Sequence, residues 1–213
     1  MFLGDLQCLL NDLYDLESAY DIYDFLITDA ELAEALDAGG RPSDEKLLIA
    51  EDNGDAEVSL YLAAELVERL NRNDPTAGLN EQNLADFWTA FEGVSHFTYF
   101  TWKASRDRPV TLLEMELQAE VDKFVVTALL LGQQGERPPQ GLHHCLFTLP
   151  NFDSELEPTE RQRYQRANYY AGKFCSKLWP RLATGFAGRG LQQELRYFYR
   201  LTRPAKIGHI EAS

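Results

Sequence analysis

The chain has 213 residues, 45% of them hydrophobic and 12% aromatic, enough for a sizeable core in one large or two small domains. Its longest apolar run, Phe124 to Leu131, is far too short to span a bilayer, and the opening MFLGDLQCLLND carries no basic leader, so a cytoplasmic protein without membrane span or signal peptide is expected. The net charge of −14 is polarised, with 19 acids against 4 bases over residues 1–75, 12 against 5 over 76–158 and 3 against 11 over 159–213, so the chain is not basic throughout and its two ends either dock on each other or face different partners.

From the N-terminus, Leu6, Leu10, Leu13, Tyr20 and Tyr23 follow a helical period, with acids on the other face, and predict a helix from about Leu3 to Leu26. Thr28 and Glu31 form a capping box for a short helix that stops at Gly39-Gly40. Ser43 caps a further short helix, SDEKLLIAED, and Asp52 to Asp55 form a turn. Val58, Leu62, Leu66 and Leu70 then align on a helix over AEVSLYLAAELVERL. After the break at Asn73 to Pro75, a helix from Asn80 to Ser105 carries seven aromatics on more than one face and belongs at the centre. Thr111 and Glu114 cap its partner, which runs to about Leu131. Residues 132–158 are rich in Gly, Pro and Gln and read as a loop. Thr159 and Gln162 cap a helix to about Leu178, another runs from Leu191 to Thr202, and Pro204 can open a fresh helix.

The fold class predicted is all-α: a single-domain helical bundle over residues 1–213, of about six to eight helices around a central antiparallel helix pair. Acidic N-terminal helices (1–72) flank the central pair (80–132) on one side, and basic C-terminal helices (159–213) flank it on the other. The core is expected to centre on Phe87, Trp88, Phe91, Trp102, Leu113, Leu117, Val121 and Phe124.

Chemistry-bearing residues concentrate in two places. Glu92 and His96 are four apart and share a helix face, as do Glu116 and Glu120 on the next helix. In an antiparallel pair turning near Asp107, residues whose numbers sum to about 214 lie level. His96 then faces Glu116 to Glu120, and Glu92 comes near Asp122 and Lys123. Carboxylates and an imidazole facing each other from paired helices suit a divalent metal. The spacing is Glu-x-x-x-His, not the Glu-x-x-His of di-iron bundles, and ion pairs of His96 with Glu120 and Glu92 with Lys123 are the plainer alternative.

The second place is the basic C-terminal region. Arg166, Tyr170, Lys173 and Lys177 line one face of its first helix, and Arg196, Arg200 and Arg203 extend along and past its second. Basic residues interleaved with tyrosines can hold nucleic-acid phosphates and stack on bases; pairing with the acidic helices is the alternative. The pair Arg203 and His209 has an Arg-x5-His spacing that resembles the short Arg–His spacing of HEPN-type ribonucleases, which are also α-helical, although Pro204 directly follows the arginine. That resemblance implies RNA cleavage.

Other features carry less. His143, His144 and Cys145 are adjacent, so their side chains diverge, and only one could join a distant ligand such as Cys175. Three widely spaced cysteines, Cys8, Cys145 and Cys175, suit reduced thiols. The acid-rich turn at Glu51 to Asp55 misses EF-hand spacing, and GFAGRGL at 185–191 lacks a preceding strand. No nucleophile elbow, P-loop or dinucleotide fingerprint is present.

The functional expectation is therefore a non-enzymatic adaptor or regulator. Its acidic helical surface (Asp12, Asp15, Tyr20, Asp21, Tyr23, Asp24, with Tyr14) would bind another protein, possibly basic. No cofactor is required for that role. Metal binding through Glu92, His96, Glu116 and Glu120, and nucleic-acid binding or cleavage through the basic helices, are the alternatives. If the charged ends meet between chains, a salt-sensitive homodimer is expected.

Overall fold

A computed structural model describes residues 2–37, 41–52, 55–148, 156–183 and 189–212, with backbone alone for 51, 52, 55 and 189. The order is α1 (Phe2–Tyr14), a 3-10 turn (Ile22–Asp24), β1 (Leu26–Ile27), α2 (Ala30–Leu36), β2 (Glu45–Asp52), β3 (Asp55–Leu62), α3 (Ala64–Arg72), α4 (Leu84–Ala104), α5 (Leu112–Gln133), α6 (Leu142–Phe147), α7 (Pro158–Leu182), α8 (Arg189–Arg200) and α9 (Arg203–Ala212). The molecule is mostly helical but not all-α, because three strands form a sheet in the order β1-β3-β2.

The central pair is as predicted. Thr111 accepts a hydrogen bond from the Glu114 N–H and starts α5, and Asp107, at φ 51°, makes the turn between α4 and α5. The expected register holds too. Trp88 donates to Thr127 at 3.0 Å, Lys123 to Glu92 at 2.8 Å and Tyr99 to Glu114 at 2.6 Å. Seven of the eight expected core side chains are buried, and Trp88 is half-buried with its indole N–H on Thr127. α7 packs along α5, α1 lies against α4 and α8, and the sheet covers α4.

The N-terminal third departs from the all-helical expectation. α1 ends at Tyr14, twelve residues early: Asp15 adopts φ 56° and the Leu16 N–H reaches back to the Asn11 carbonyl at 2.9 Å. That is a left-handed helix stop, which aspartate tolerates. α2 forms, but its cap is Asp29, which accepts from the N–H groups of Glu31 and Leu32. The expected stop at Gly39-Gly40 lies outside the described residues.

The two helices expected over 43–70 are instead a β-hairpin followed by the shorter α3. β2 and β3 pair antiparallel from Glu45 opposite Leu62 to Asp52 opposite Asp55. The tip, Asn53-Gly54, lies outside the described residues, but an Asn-Gly pair between apolar runs is a strong hairpin signal. Val58, Leu60 and Leu62 recur every second residue and send one strand face to the core; the four-residue spacing of Val58 and Leu62 fits both periods.

Further along, the presumed loop over 133–158 contains α6, so CLFTL is helical in its first three residues. Gly135, at φ 81°, ends α5 and lets the Glu136 N–H bond the Leu131 carbonyl at 2.8 Å. The fresh helix expected from Pro204 forms as α9. Among the described residues no helix is long and apolar enough to cross a membrane.

Candidate metal centre

α4, α5 and β2 bring five ionisable side chains together around His96. The ring has a carboxylate at each nitrogen: Glu45 Oε1 lies 3.6 Å from Nδ1 and Glu116 Oε2 lies 3.5 Å from Nε2. Neither contact is a hydrogen bond, and both Glu45 Oε1 and His96 Nε2 are buried without a hydrogen-bond partner. Glu45, Glu92 and His96 each offer a ligand atom within 4.8 Å of the others. Lys123 donates to Glu92 at 2.8 Å and to Glu120 at 2.7 Å. Arg163 on α7 reaches Glu116 at 3.5 Å and Glu160 at 3.6 Å, and Arg41 holds Glu160 at 2.9 Å.

Of the four residues read from the sequence, His96 and Glu116 meet as the register required. Glu92 and Glu120 meet through Lys123; the expected His96–Glu120 ion pair is replaced by His96–Glu116. Sequence reasoning missed Glu45, because it sat in a segment taken for a helix. Gly93 explains how Glu45 arrives. A Cβ at Gly93 would lie 2.8 Å from both Glu45 Cγ and Leu60 Cδ1, so a bare helix surface there lets the sheet close on α4. A glycine in the middle of a long helix costs stability and is itself a signal of close approach.

Burial raises the Glu45 carboxyl above its ordinary pKa, and His96 offsets this only in part. Burial alone would depress His96, yet Glu116 and Glu45 outweigh it and hold the ring well above its ordinary value. Burial also works to raise Glu92, but the Lys123 ammonium beside it brings that group below its ordinary value. Glu120 stays raised, because burial and the neighbouring carboxylates exceed the pull of Lys123. The side chains of Glu92 and Glu120 are 23% and 18% exposed, against 9% for His96, so the cluster opens to solvent on the Glu92–Glu120 side.

A deeper polar cluster was not legible in the sequence. Asp122, fully buried, accepts from Tyr14, from Ser95 at 2.6 Å and from Gln118 at 2.7 Å. Lys206 of α9, also fully buried, donates to Gln118 and lies 4.2 Å from the Phe198 ring and 5.1 Å from that of Tyr99. Burial lowers Lys206 to about 7 and raises Asp122 to about 6. Glu114 joins this centre to its surroundings, accepting from Lys103 at 2.7 Å, Tyr99 at 2.6 Å and the Arg203 N–H at 3.2 Å.

The basic surface is divided. Arg196 donates to the carbonyls of Leu13 and Asp12, and Arg200 to those of Tyr14 and Asp15, all at 3.0–3.1 Å. These guanidinium groups cap the C-terminal end of α1, where carbonyls lack helical partners and the helix dipole is negative. So the basic and acidic ends meet within one chain here. Lys177 likewise bonds the Ile210 carbonyl at 2.5 Å. Arg166, Lys173 and Arg203 have exposed side chains, and Tyr170 is half-buried.

Arg203 and His209 sit six apart on α9, pointing off different faces, and His209 contacts Glu194 at 2.6 Å. His143 bonds the Gly172 carbonyl at 2.8 Å and packs on Phe124, while Cys145 is exposed and Cys175 buried. The phosphate-loop segment at 185–191 falls mostly outside the described residues. The acidic-aromatic surface is not one helix face: Asp12 lies on α1, whereas Tyr20, Asp21, Tyr23 and Asp24 follow its end in a loop and the 3-10 turn. Asp12, Asp15, Tyr20, Asp21 and Asp24 are exposed, but the Tyr23 hydroxyl is occupied by the Gly4 N–H at 3.2 Å.

Comparison with protein-family models, with curated proteins and with solved structures finds no match to this chain.

Proposed function

We propose that this protein binds a divalent cation at Glu45, Glu92 and His96. One observation carries the reading: His96 Nε2 and Glu45 Oε1 are buried without hydrogen-bond partners amid carboxylates. Buried polar atoms are nearly always satisfied, and exceptions point to an ion, a water or a functional role. Charge supports a cation. Glu45, Glu92, Glu116 and Glu120 face Lys123 and Arg163, which leaves two negative charges when His96 is neutral. The 3.6 Å contact between His96 Nδ1 and Glu45 Oε1 also matches the edge between two ligands of one tetrahedral ion, about 3.3–3.6 Å for metal–ligand bonds of about 2.0–2.2 Å. One ring nitrogen would bind the ion, and the carboxylate on the other would orient the ring. One imidazole with two carboxylates favours Zn2+ or Mn2+ over Ca2+.

Calorimetric titration of the metal-free protein with Zn2+ and with Mn2+ tests this. One equivalent is expected to bind, with affinity falling at least about tenfold in His96→Gln and in Glu45→Gln, since each removes a ligand. Absence of binding by the wild type, or unchanged binding in both variants, defeats the reading.

A second reading is protein binding through the acidic surface. It is favoured by Leu32 and Leu36, 47% and 56% exposed on α2 beside exposed Glu31 and Glu34. A basic protein is expected to co-purify at low salt and to be lost at high salt and in an Asp21→Lys, Asp24→Lys variant. Capture that ignores both salt and charge reversal would count against this surface.

A further inference from the structure

Resting on the cation reading, we propose that Lys123 is a built-in competitor for the site: its ammonium holds the carboxylates in the metal-free protein and gives up Glu92 when the divalent cation binds.

The geometry places both cations on one side chain. Glu92 is one of the three residues whose ligand atoms converge, and it is also the acceptor of the Lys123 ammonium at 2.8 Å. Lys123 is itself 8% exposed, and its second carboxylate is Glu120 at 2.7 Å. A lysine ammonium is a compact point charge on a flexible stem. It can therefore keep Glu120 while Glu92 turns to the ion. Two positive charges at neighbouring positions repel strongly where burial limits screening, so the ammonium and the divalent ion cannot share Glu92 at no cost. The cluster thus has two stable fillings, one by its own lysine and one by the ion.

The device has a use. Four carboxylates packed around one imidazole repel each other, and the tethered ammonium lets the protein fold and persist without metal. The same ammonium sets a threshold, because the ion must displace it. With His96 neutral, removing it raises the excess negative charge at the site from two to three, and it frees Glu92 and Glu120 at once.

The experiment is calorimetric titration with Zn2+ of the wild type, Lys123→Met and Lys123→Gln, with Glu45→Gln combined with each as the site control. Lys123→Met and Lys123→Gln are expected to bind Zn2+ on the order of tenfold more tightly than the wild type, and Glu45→Gln to abolish the gain. If the wild type binds and these variants bind equally or more weakly, Lys123 positions the ligands instead and the competitor is overturned, although the cation reading stands. If neither wild type nor variants bind, both ideas fall. Should the variants fail to fold, lysine side-chain NMR of the wild type decides: the Lys123 Nζ resonance is expected to shift as Zn2+ fills the site. An unmoved resonance at saturating Zn2+ overturns the proposal.

Discussion

Asp122→Ala is expected to lower stability by about 3–5 kcal/mol, read as a reduced urea midpoint at unchanged slope. Asp122 lies within α5, fully buried, and accepts from Tyr14, Ser95 and Gln118. Truncation leaves three donors facing a cavity, and each unsatisfied buried group costs about 1–3 kcal/mol. It also removes a negative charge near the buried Lys206 ammonium. Asp122→Asn keeps the size and one acceptor oxygen and should cost clearly less than the alanine variant. Near-equal loss in the two would mean that charge, rather than hydrogen bonding, is what Asp122 supplies; a loss under about 1 kcal/mol in Asp122→Ala would mean that water replaces it.

The second large effect is expected from Lys206→Met, and it changes with pH. Lys206 titrates at about 7 in the folded protein against an ordinary 10.5. Between those values the unfolded chain binds more protons than the folded one, so the Lys206 contribution rises as pH climbs through the window and is fully lost below about 7. At pH 6 the folded protein carries a buried ammonium with one side-chain acceptor, Gln118, and a ring of aromatic faces. Methionine fills the same space without charge. Lys206→Met should therefore be more stable than the wild type at pH 6, by about 2–4 kcal/mol, with the advantage shrinking by pH 10. Asp122 acts in the opposite sense. Its folded value of about 6 exceeds the ordinary 3.8, so its contribution is present below 3.8 and is lost as pH rises through 6. Urea midpoints of both proteins at pH 6, 8 and 10 check the prediction. An advantage that does not vary with pH would show that Lys206 stays charged in the folded protein, its pKa not lowered by burial.

The central helix pair was the most legible part of the fold. Its boundaries followed from Thr111, the turn at Asp107 and dense aromatics, and its register followed from antiparallel geometry alone. That register brought His96 to Glu116 and Glu92 to Lys123. The hairpin is hard to read from the residues because Val58 and Leu62, four apart, satisfy a helix period as well as an alternating one, and Asn53-Gly54 fits a turn between helices as well as a hairpin tip. Glu45 is hidden with it, since its place beside His96 depends on the strand. α1 was overextended because Tyr20 and Tyr23 continue its periodicity beyond a stop made by a left-handed aspartate, a geometry aspartate does not advertise. The basic helices carried a correct amphipathic pattern, but nothing local showed that Arg196 and Arg200 would be used by carbonyls 183–186 residues away. The Asp122–Lys206 centre was hidden for a related reason: a charged residue in a helix reads as surface until its neighbours from other helices are known.

The caps that Arg196 and Arg200 place on α1 have a consequence for how the chain is made. The end of α1 is synthesised almost two hundred residues before the side chains that complete it. On the ribosome it waits without them, and the Asp122 centre lacks Lys206 until α9 has emerged. Local contacts within α4 and α5 can form early, but closing such distant segments carries a large entropy cost that is recovered only at the last step. Folding of this chain is thus expected to complete only once residues 189–212 have emerged, with a nascent chain stalled before residue 189 remaining open to proteases that spare the finished molecule.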